Sequence, residues 1–249
     1  MITSAANQHL KLIRRLESRA QRARLGLFVA EGEDLVEAAL NAGIQPVQVL
    51  VDAERPVLEQ RLRHAELCLP GLLAEVSTLA HPPRIIAIFR DEDLPRLDLD
   101  AVAAGTATVP AVGVALWHVG DPGNIGTLFR AADALGPAFV ALSEGCADPT
   151  GPKSLRGSTG AGFRVPRCGF EEAPGRRIGL VARAGRPLGD IDLADGDLFV
   201  LGAERAGLPE HVRRGCDLLA EIPLQGAADS LNVAMAGTIA LYEWSRHRG

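Results

Sequence analysis

The amino-acid sequence predicts an α/β protein of two domains: a small N-terminal α/β domain, then a larger domain in which helices flank a parallel sheet. Short apolar or β-branched runs alternate with helical patterns along the chain, as in proteins of this class. The 249 residues suffice for two domains that each bury a core. Residues 96–109 are rich in Asp, Ala, Gly and Thr, which is typical of a linker. We therefore predict domains at residues 1–95 and 110–249.

Composition excludes several classes of protein. With 47% hydrophobic and 23% charged residues, the chain is neither disordered nor fibrous. It has no run of about 18 apolar residues that would predict a membrane span, and its N-terminal segment lacks the apolar region of a secretory signal. Its four cysteines include no Cys-x-x-Cys pair, so we predict neither a metal site nor a disulfide framework. We expect a reduced, cytoplasmic protein.

The first 30 residues form a basic arm in a chain of net charge −5. The arm carries six Lys or Arg and one Glu, whereas the rest of the chain has a net charge of −10. Its periodicity predicts one amphipathic helix from Gln8 to Leu27. The predicted apolar stripe contains Ile13, Leu16, Ala20, Ala23 and Leu27. The opposite stripe, a candidate for contacts with phosphates or else a solvated face, contains Lys11, Arg14, Arg15 and Arg22.

The remainder of the N-terminal domain alternates strands with helices. A strand over residues 26–32 leads through a turn into a helix over residues 33–42, which Gly43 ends. Later elements that continue the alternation are predicted at residues 47–51, 57–63, 72–80 and 84–89.

Apolar or β-branched runs predict the strands of the C-terminal sheet. They lie at residues 112–119, 138–143, 178–182, 198–202 and 218–223. Helical stretches between them favour parallel pairing. Because ligands of such sheets bind beyond the carboxyl ends of the strands, the loops after Val119, Gly202 and Pro223 are candidate sites.

The first of these loops runs into a helix. Asn124 stands where an N-cap residue belongs, and Gly136 stands where the residue after a helix belongs. Arg130 follows Asn124 by six residues, so its guanidinium can reach back over the loop and clamp a phosphate or a carboxylate. A surface ion pair is the alternative for Arg130.

The other two loops also carry unusual residues. Gly202 ends a strand and lets a ligand approach the backbone, and Glu204 places a carboxylate at the sheet edge. Ser230 is the predicted N-cap of the last helix, with Asn232 in its first turn. That helix, residues 231–244, is apolar on nearly every face, so we expect burial inside the domain or against a second subunit.

Motifs in the C-terminal half occur in a recognisable order. They are DPGNIGTLFRAADALG (121–136), LGAERAGLPE (201–210) and IPLQGAADSLNVAMAGTIALYE (222–243). Together they resemble the SpoU/TrmH family of RNA ribose 2′-O-methyltransferases, within the SPOUT superfamily, over residues 110–248. Residues 153–166 are similar to a further segment of that family. The N-terminal domain resembles the substrate-binding domain that is often fused ahead of the catalytic domain.

The resemblance implies properties that periodicity does not reveal. It implies a trefoil knot at the C-terminal end of the catalytic domain and a homodimer formed through that domain. It also implies S-adenosyl-L-methionine as cofactor and a ribose 2′-hydroxyl of rRNA, less often of tRNA, as methyl acceptor. The residues implied to bind the cofactor are Gly202, Ile222 and Leu231, with their neighbours Leu201 and Leu224. The implied catalytic residues are Arg130 and, in support of it, Asn124, Glu204, Ser230 and Asn232.

Two positions carry further expectations. We expect Arg130 to anchor a phosphate and to stabilise negative charge developing on the 2′-oxygen, because a neutral guanidine base is costly. Arg205 stands where many members have glycine, so either the loop differs locally or Arg205 contacts RNA, since arginine favours an ordinary φ. The alternatives to this enzyme are an RNA-binding protein of the same fold without turnover and a methyltransferase that acts on a base nitrogen.

Overall fold

Two sheets organise the molecule. The computed structural model describes residues 1–54, 62, 65–106, 108–226 and 228–246. Within these residues a four-stranded sheet lies in the N-terminal part and a seven-stranded sheet lies in the C-terminal part. The mixed α/β class predicted from the sequence is confirmed.

The N-terminal sheet is mixed and carries helices on both faces. Its strands are β1 (Leu27–Glu31), β2 (Gln48–Asp52), β3 (Ala65–Cys68) and β4 (Ile85–Arg90), in the order β1-β4-β2-β3. Only the β2–β3 pair is parallel. The helices are α1 (Gln8–Leu16), α2 (Arg19–Leu25) and α3 (Glu33–Asn41). Buried side chains of α1 pack on one face of the sheet and those of α3 pack on the other.

The predicted single helix from Gln8 to Leu27 is wrong, because the chain breaks it at Glu17 and Ser18. Ser18 has an extended backbone, with φ −79° and ψ 126°. The Arg22 guanidinium donates hydrogen bonds to the carbonyls of Leu16 (2.7 Å) and Glu17 (2.8 Å), which a continuous helix would have used itself. The break turns Arg22 inward and leaves Ala20 and Ala23 exposed.

Other N-terminal predictions have mixed outcomes. The strand before α3, the helix α3 itself and the left-handed Gly43 that follows it (φ 81°) are confirmed. Residues 57–63 lie outside the described residues except for Leu62. Residues 70–76 form turns instead of a regular element, and β3 was not predicted.

The C-terminal sheet is parallel at every pair of neighbouring strands, in the order β7-β6-β5-β10-β8-β11-β9. Its strands are β5 (Val112–Leu116), β6 (Ala138–Leu142), β7 (Arg167–Gly169), β8 (Arg176–Leu180), β9 (Arg186–Pro187), β10 (Asp197–Leu201) and β11 (Leu218–Glu221). Its helices are α5 (Pro122–Leu135), α6 (Pro152–Ser158), α7 (Glu210–Arg214) and α8 (Val233–Arg246).

The predicted strands of the C-terminal sheet are confirmed. The short strands β7 and β9 were missed, and a 3-10 turn replaces the helix expected between β8 and β10.

Small residues bring the helices around the site into close contact. A Cβ at Gly126 of α5 would lie 2.5 Å from the Ser154 carbonyl oxygen of α6. A Cβ at Gly237 of α8 would lie 2.4 Å from Leu128 Cδ2 of α5. These glycines therefore let α5 pack tightly between α6 and α8 over the sheet.

The segment predicted as a linker is structured over residues 96–106, where it contacts the C-terminal sheet. It contains the short helix α4 (Leu99–Ala103), which the Asp98 side chain caps. The Leu97 amide donates to the Arg167 carbonyl at 3.0 Å. The domain limits and the trefoil knot stay predictions.

An aromatic cluster joins the two parts of the chain. Phe163, from the segment after α6, lies 6.1 Å from Phe28 and 5.7 Å from Phe89 between ring centroids. With Leu155 it completes the apolar core on the α3 face of the N-terminal sheet. The N-terminal part is therefore packed against the C-terminal part through shared core residues.

Membrane-spanning helices and metal sites were both searched for in the described part of the chain. No helix there is long and apolar enough to cross a membrane. No group of three or more His, Cys, Asp or Glu side chains there could hold a metal ion. The four cysteines are free thiols, and burial raises the pKa of Cys68 and Cys168 to about 11.

A buried ion pair links α2 to the loop before α6. The Arg22 side chain is 7% exposed and its Nη2 lies 2.7 Å from Asp148 Oδ2. Burial alone would raise the pKa of the Asp148 carboxyl, but hydrogen bonds from Thr150 and Arg22 outweigh it and hold that pKa below its ordinary value. The charged pair is therefore stabilised in the folded protein.

We predict that Arg22→Met destabilises the protein by about 3–5 kcal/mol, because it leaves the largely buried Asp148 carboxylate without its cation. The free energy of unfolding in urea measures this loss at pH 7. A carboxyl whose pKa is lowered by folding stabilises above its unfolded pKa and ceases to do so as pH falls through the folded value. The difference from wild type should therefore shrink below about pH 4. Arg24→Met, at an exposed arginine of the same helix, is the matched control, and an equal effect of the two would contradict the prediction.

Candidate functional site

A cavity of about 390 Å³ opens at the carboxyl ends of β8, β10 and β11. Every residue predicted to contact a cofactor lines it, namely Leu201, Gly202, Ile222, Leu224 and Leu231. Glu204 and Ser230 line it as well. The cavity lies where a ligand site is expected, beyond the carboxyl edge of a parallel sheet, and cofactor binding by these residues stays a prediction.

Part of the wall was not predicted. The cavity is also lined by Leu180 at the end of β8, by residues 181–183 of the loop that follows, and by Arg213 of α7. The β8 loop follows a predicted strand and could have been found by the same rule as the others. Arg213 lies in a five-residue helix that carries no motif, so its position depends on the tertiary fold.

A tight turn after β10 shapes the cavity. The Gly207 amide donates to the Ala203 carbonyl at 2.8 Å, and Gly207 has a φ of 63°. A Cβ at Gly202 would lie 2.1 Å from the Gly207 carbonyl carbon, so only glycine fits there. The non-glycine residues with positive φ in the described chain are His118, Thr159 and Ala184. Arg205 therefore keeps the ordinary backbone expected of arginine.

Hydrogen bonds join the three predicted loops at the cavity rim. Asn124 Nδ2 donates to Glu204 Oε1 at 2.9 Å. Asn232 Nδ2 donates to Asn124 Oδ1 at 3.1 Å. Asn124 thereby connects α5, the turn after β10 and the start of α8, and it fixes the direction of the Glu204 carboxylate.

Two predicted caps are wrong by a few residues. Asp121, not Asn124, caps α5: its Oδ1 accepts from the amides of Gly123 (2.7 Å) and Asn124 (3.0 Å). The Asn124 amide and then the Lys153 side chain hold the pKa of the Asp121 carboxyl below its usual value. Pro122 suits the first helical position, so the cap falls on the residue before it. Gly136 ends α5 with a φ of −73°, without the left-handed turn expected of it.

At α8, Asn232 takes the role predicted for Ser230. Asn232 Oδ1 accepts from the amides of Ala234 (2.9 Å) and Met235 (3.3 Å). Ser230 is exposed two residues earlier. The side-chain oxygen of Asn232 thus caps α8, and its side-chain NH₂ group donates to Asn124.

The structure does not bring Arg130 to the cavity of its own chain. It is exposed on α5, nine residues after the cap and not six, so it lies farther from the loop than predicted. Three apolar side chains lie on the outer side of α8, the helix that packs against α5. Met235 and Tyr242 are more than half exposed and Ile239 is partly exposed. The last helix is therefore buried on one side only.

Only some side chains of the predicted basic stripe lie at the surface. Lys11 and Arg15 are exposed, and Arg14 is partly exposed and donates to the Ala5 carbonyl at 3.0 Å. The prediction that Arg22 contacts phosphate is wrong, because its side chain is buried against Asp148. The helix break after Leu16 is the physical reason.

Comparison with known families agrees with these features. Residues 111–242, more than half of the chain, match the SpoU rRNA Methylase family. The chain belongs to this family. Residues 7–87 match the MRM3-like substrate binding domain. The family and the two-part organisation expected from the motifs are therefore confirmed.

Relatives of this SpoU family member match nearly its full length. The 23S rRNA (uridine(2479)-2'-O)-methyltransferase of Streptomyces viridochromogenes is 34% identical over 94% of this chain and 87% of its own. The 23S rRNA (guanosine(2553)-2'-O)-methyltransferase RlmP of Bacillus subtilis is 32% identical over 97% of both chains. The crystal structure of an AdoMet-bound rRNA methyltransferase from Sinorhizobium meliloti superposes with a TM-score of 0.86, at 28% identity, over 99% of this chain and 97% of that one.

We predict that Asn232→Ala destabilises the protein by about 1 kcal/mol, because α8 loses its cap. Asn232→Asp keeps an oxygen for the amides of Ala234 and Met235, so its effect on the free energy of unfolding should be less than half as large. Thermal unfolding at neutral pH measures both variants. Equal destabilisation by the two would show that the bond to Asn124, not the cap, is the stabilising contact.

Proposed function

We propose that this protein transfers a methyl group from S-adenosyl-L-methionine to a ribose 2′-hydroxyl of rRNA. The observation that carries the proposal is the cavity beyond β8, β10 and β11, lined by Gly202, Ile222 and Leu231, the residues expected to bind the cofactor. Membership of the SpoU family and two relatives named as 23S rRNA 2'-O-methyltransferases support the reaction and the substrate class. With rRNA as substrate, we expect action in the cytoplasm.

The cavity suits the cofactor in size and lining. Its volume of about 390 Å³ lies in the range of small-molecule sites. Leu201, Ile222, Leu224 and Leu231 offer apolar contacts for an adenosine group, and the backbone at Gly202 offers polar ones. The wall also holds Arg213, whose Nε is buried and has no hydrogen-bond partner among the described residues. When bound, the cofactor supplies a methyl group on a positively charged sulfur, which is a strong electrophile.

The protein's own task is then to position the 2′-oxygen and its charge. We assign the fixed carboxylate of Glu204 and the amides of Asn124 and Asn232 to the organisation of the cavity rim. Ser230, exposed at the cavity, is assigned to the same rim. Arg130 is assigned to a phosphate beside the target ribose, where its planar fork of donors also stabilises negative charge on the oxygen.

We also propose a homodimer, which two features of the outer surface support. Met235, Ile239 and Tyr242 form an apolar stripe on α8 at spacings of four and three residues, so they share one helix face. Arg130 is exposed on the neighbouring helix and does not line its own cavity. Pairing of two copies through α5 and α8 would cover the stripe and give Arg130 access to the partner's cavity.

We propose that the N-terminal domain, residues 1–95, binds the RNA. Lys11, Arg14 and Arg15 remain at the surface of its basic arm, whereas Arg22 does not. Contacts with phosphates from this arm would hold the substrate while the C-terminal domain, residues 110–249, acts on it.

The activity is tested with rRNA from cells that lack the protein and a cofactor labelled on its methyl group. We expect labelled 2′-O-methylnucleoside after digestion, and Arg130→Lys should lose at least about 90% of the rate because it keeps the charge but not the fork. A labelled base would support the base-nitrogen alternative. Cofactor binding without transfer to any RNA would support the alternative of a protein without turnover. A near-normal rate for Arg130→Lys would contradict the clamp.

The shared site is tested by mixing two inactive variants. Arg130→Ala removes the clamp, and Gly202→Ala distorts the cavity because its methyl group would overlap Gly207. If Arg130 acts on the partner's cavity, each mixed dimer keeps one complete site. Coexpression in equal amounts should then restore about a quarter of wild-type activity, since half of randomly formed dimers are mixed. Absence of any recovery would contradict a site built from two copies.

A further inference from the structure

Arg213 is a cavity residue that the family motifs do not include. It lies on α7, which follows the turn after β10, and its side chain lines the cavity. Its Nε is buried and has no hydrogen-bond partner. Among the described residues, it is the one buried side-chain nitrogen or oxygen in this condition. We propose that Arg213 binds the carboxylate of the methionine group of S-adenosyl-L-methionine, an inference that rests on the function proposed above.

Elsewhere the protein gives its buried arginines acceptors. Arg22, 7% exposed, donates to the Asp148 carboxylate and to two backbone carbonyls. Arg167, 8% exposed, pairs with the Asp91 carboxylate at 2.6 Å. A buried guanidinium N–H without an acceptor is unfavourable, so native proteins rarely keep one. The guanidinium of Arg213, which is only partly buried and lines the cavity, has no ion pair among the described residues, so an anionic group bound in the cavity would supply an acceptor to its accessible part.

The charges around the cavity select the carboxylate among the cofactor's groups. Glu204 is bound by Asn124, Arg183 is paired with Asp229, and Arg205, a further arginine of the wall, is exposed to solvent. The cofactor carries positive charge on its sulfonium and its amino group, and guanidinium repels both. Its carboxylate is its one anion and matches the planar donors of arginine.

Fragments of the cofactor separate this role from a merely structural one. S-adenosylhomocysteine keeps the carboxylate, whereas 5′-methylthioadenosine lacks it but keeps the adenosine. Binding of each ligand to the full-length protein is measured by calorimetry, without RNA or turnover. Arg214→Met is the matched control, because Arg214 is the next residue of α7, is exposed, and pairs with Glu210 outside the cavity.

We expect Arg213→Met to weaken S-adenosylhomocysteine binding about 10- to 100-fold, the usual range for a lost charge-assisted hydrogen bond. Binding of 5′-methylthioadenosine should change less than about twofold, and Arg214→Met should change neither. Arg213→Lys, which preserves the charge, should lose less affinity than Arg213→Met and only for the carboxylate ligand. This gives a second readout if the methionine variant does not fold.

Other outcomes overturn the proposal in distinguishable ways. Equal loss for both ligands would assign Arg213 to the adenosine or to the fold, and no loss for either would remove it from the site. Conversion of the variant to a monomer with unchanged affinity would assign Arg213 to a subunit contact. If the wild-type protein binds neither ligand, the proposed function fails together with this inference.

Discussion

The parallel direction of all seven strands of the C-terminal sheet is the constraint on which the site depends. Because parallel strands end at the same edge, loops that lie far apart in the sequence meet there. Asn124 and Asn232 are more than 100 residues apart, yet one hydrogen bond joins them, and Asn124 in turn holds Glu204. The cavity is thus a property of the sheet edge, and each loop supplies one part of its wall.

Close packing of glycine positions maintains this geometry. Gly202 leaves no space for a side chain against Gly207, and Gly126 and Gly237 let α5 approach its neighbouring helices. Substitution at any of these positions would move backbone, because the nearest atoms include main chain or packed core side chains. The site is therefore held by the packing of backbone around it as much as by its polar side chains.

The N-terminal part shows how one residue type serves two purposes. Its arginines are concentrated in a short arm, and part of this charge faces solvent at Lys11 and Arg15. Arg22 instead closes the end of α1 and pairs with Asp148 of the C-terminal part. Together with Phe163 it packs the two parts against each other, so a substrate bound to the basic arm would have a defined position relative to the cavity.

The sequence by itself determined the α/β class, the C-terminal strands and the family, because these depend on local periodicity and on motifs that short segments carry. It also indicated the cavity residues Gly202, Ile222 and Leu231: Gly202 stands at a strand end, and the resemblance of the motifs to the family implied all three. Tertiary structure decided the break at Ser18, the caps at Asp121 and Asn232, the burial of Arg22 and the position of Arg213. Each of these depends on a partner distant in sequence or on a shift of two or three residues, which periodicity does not encode.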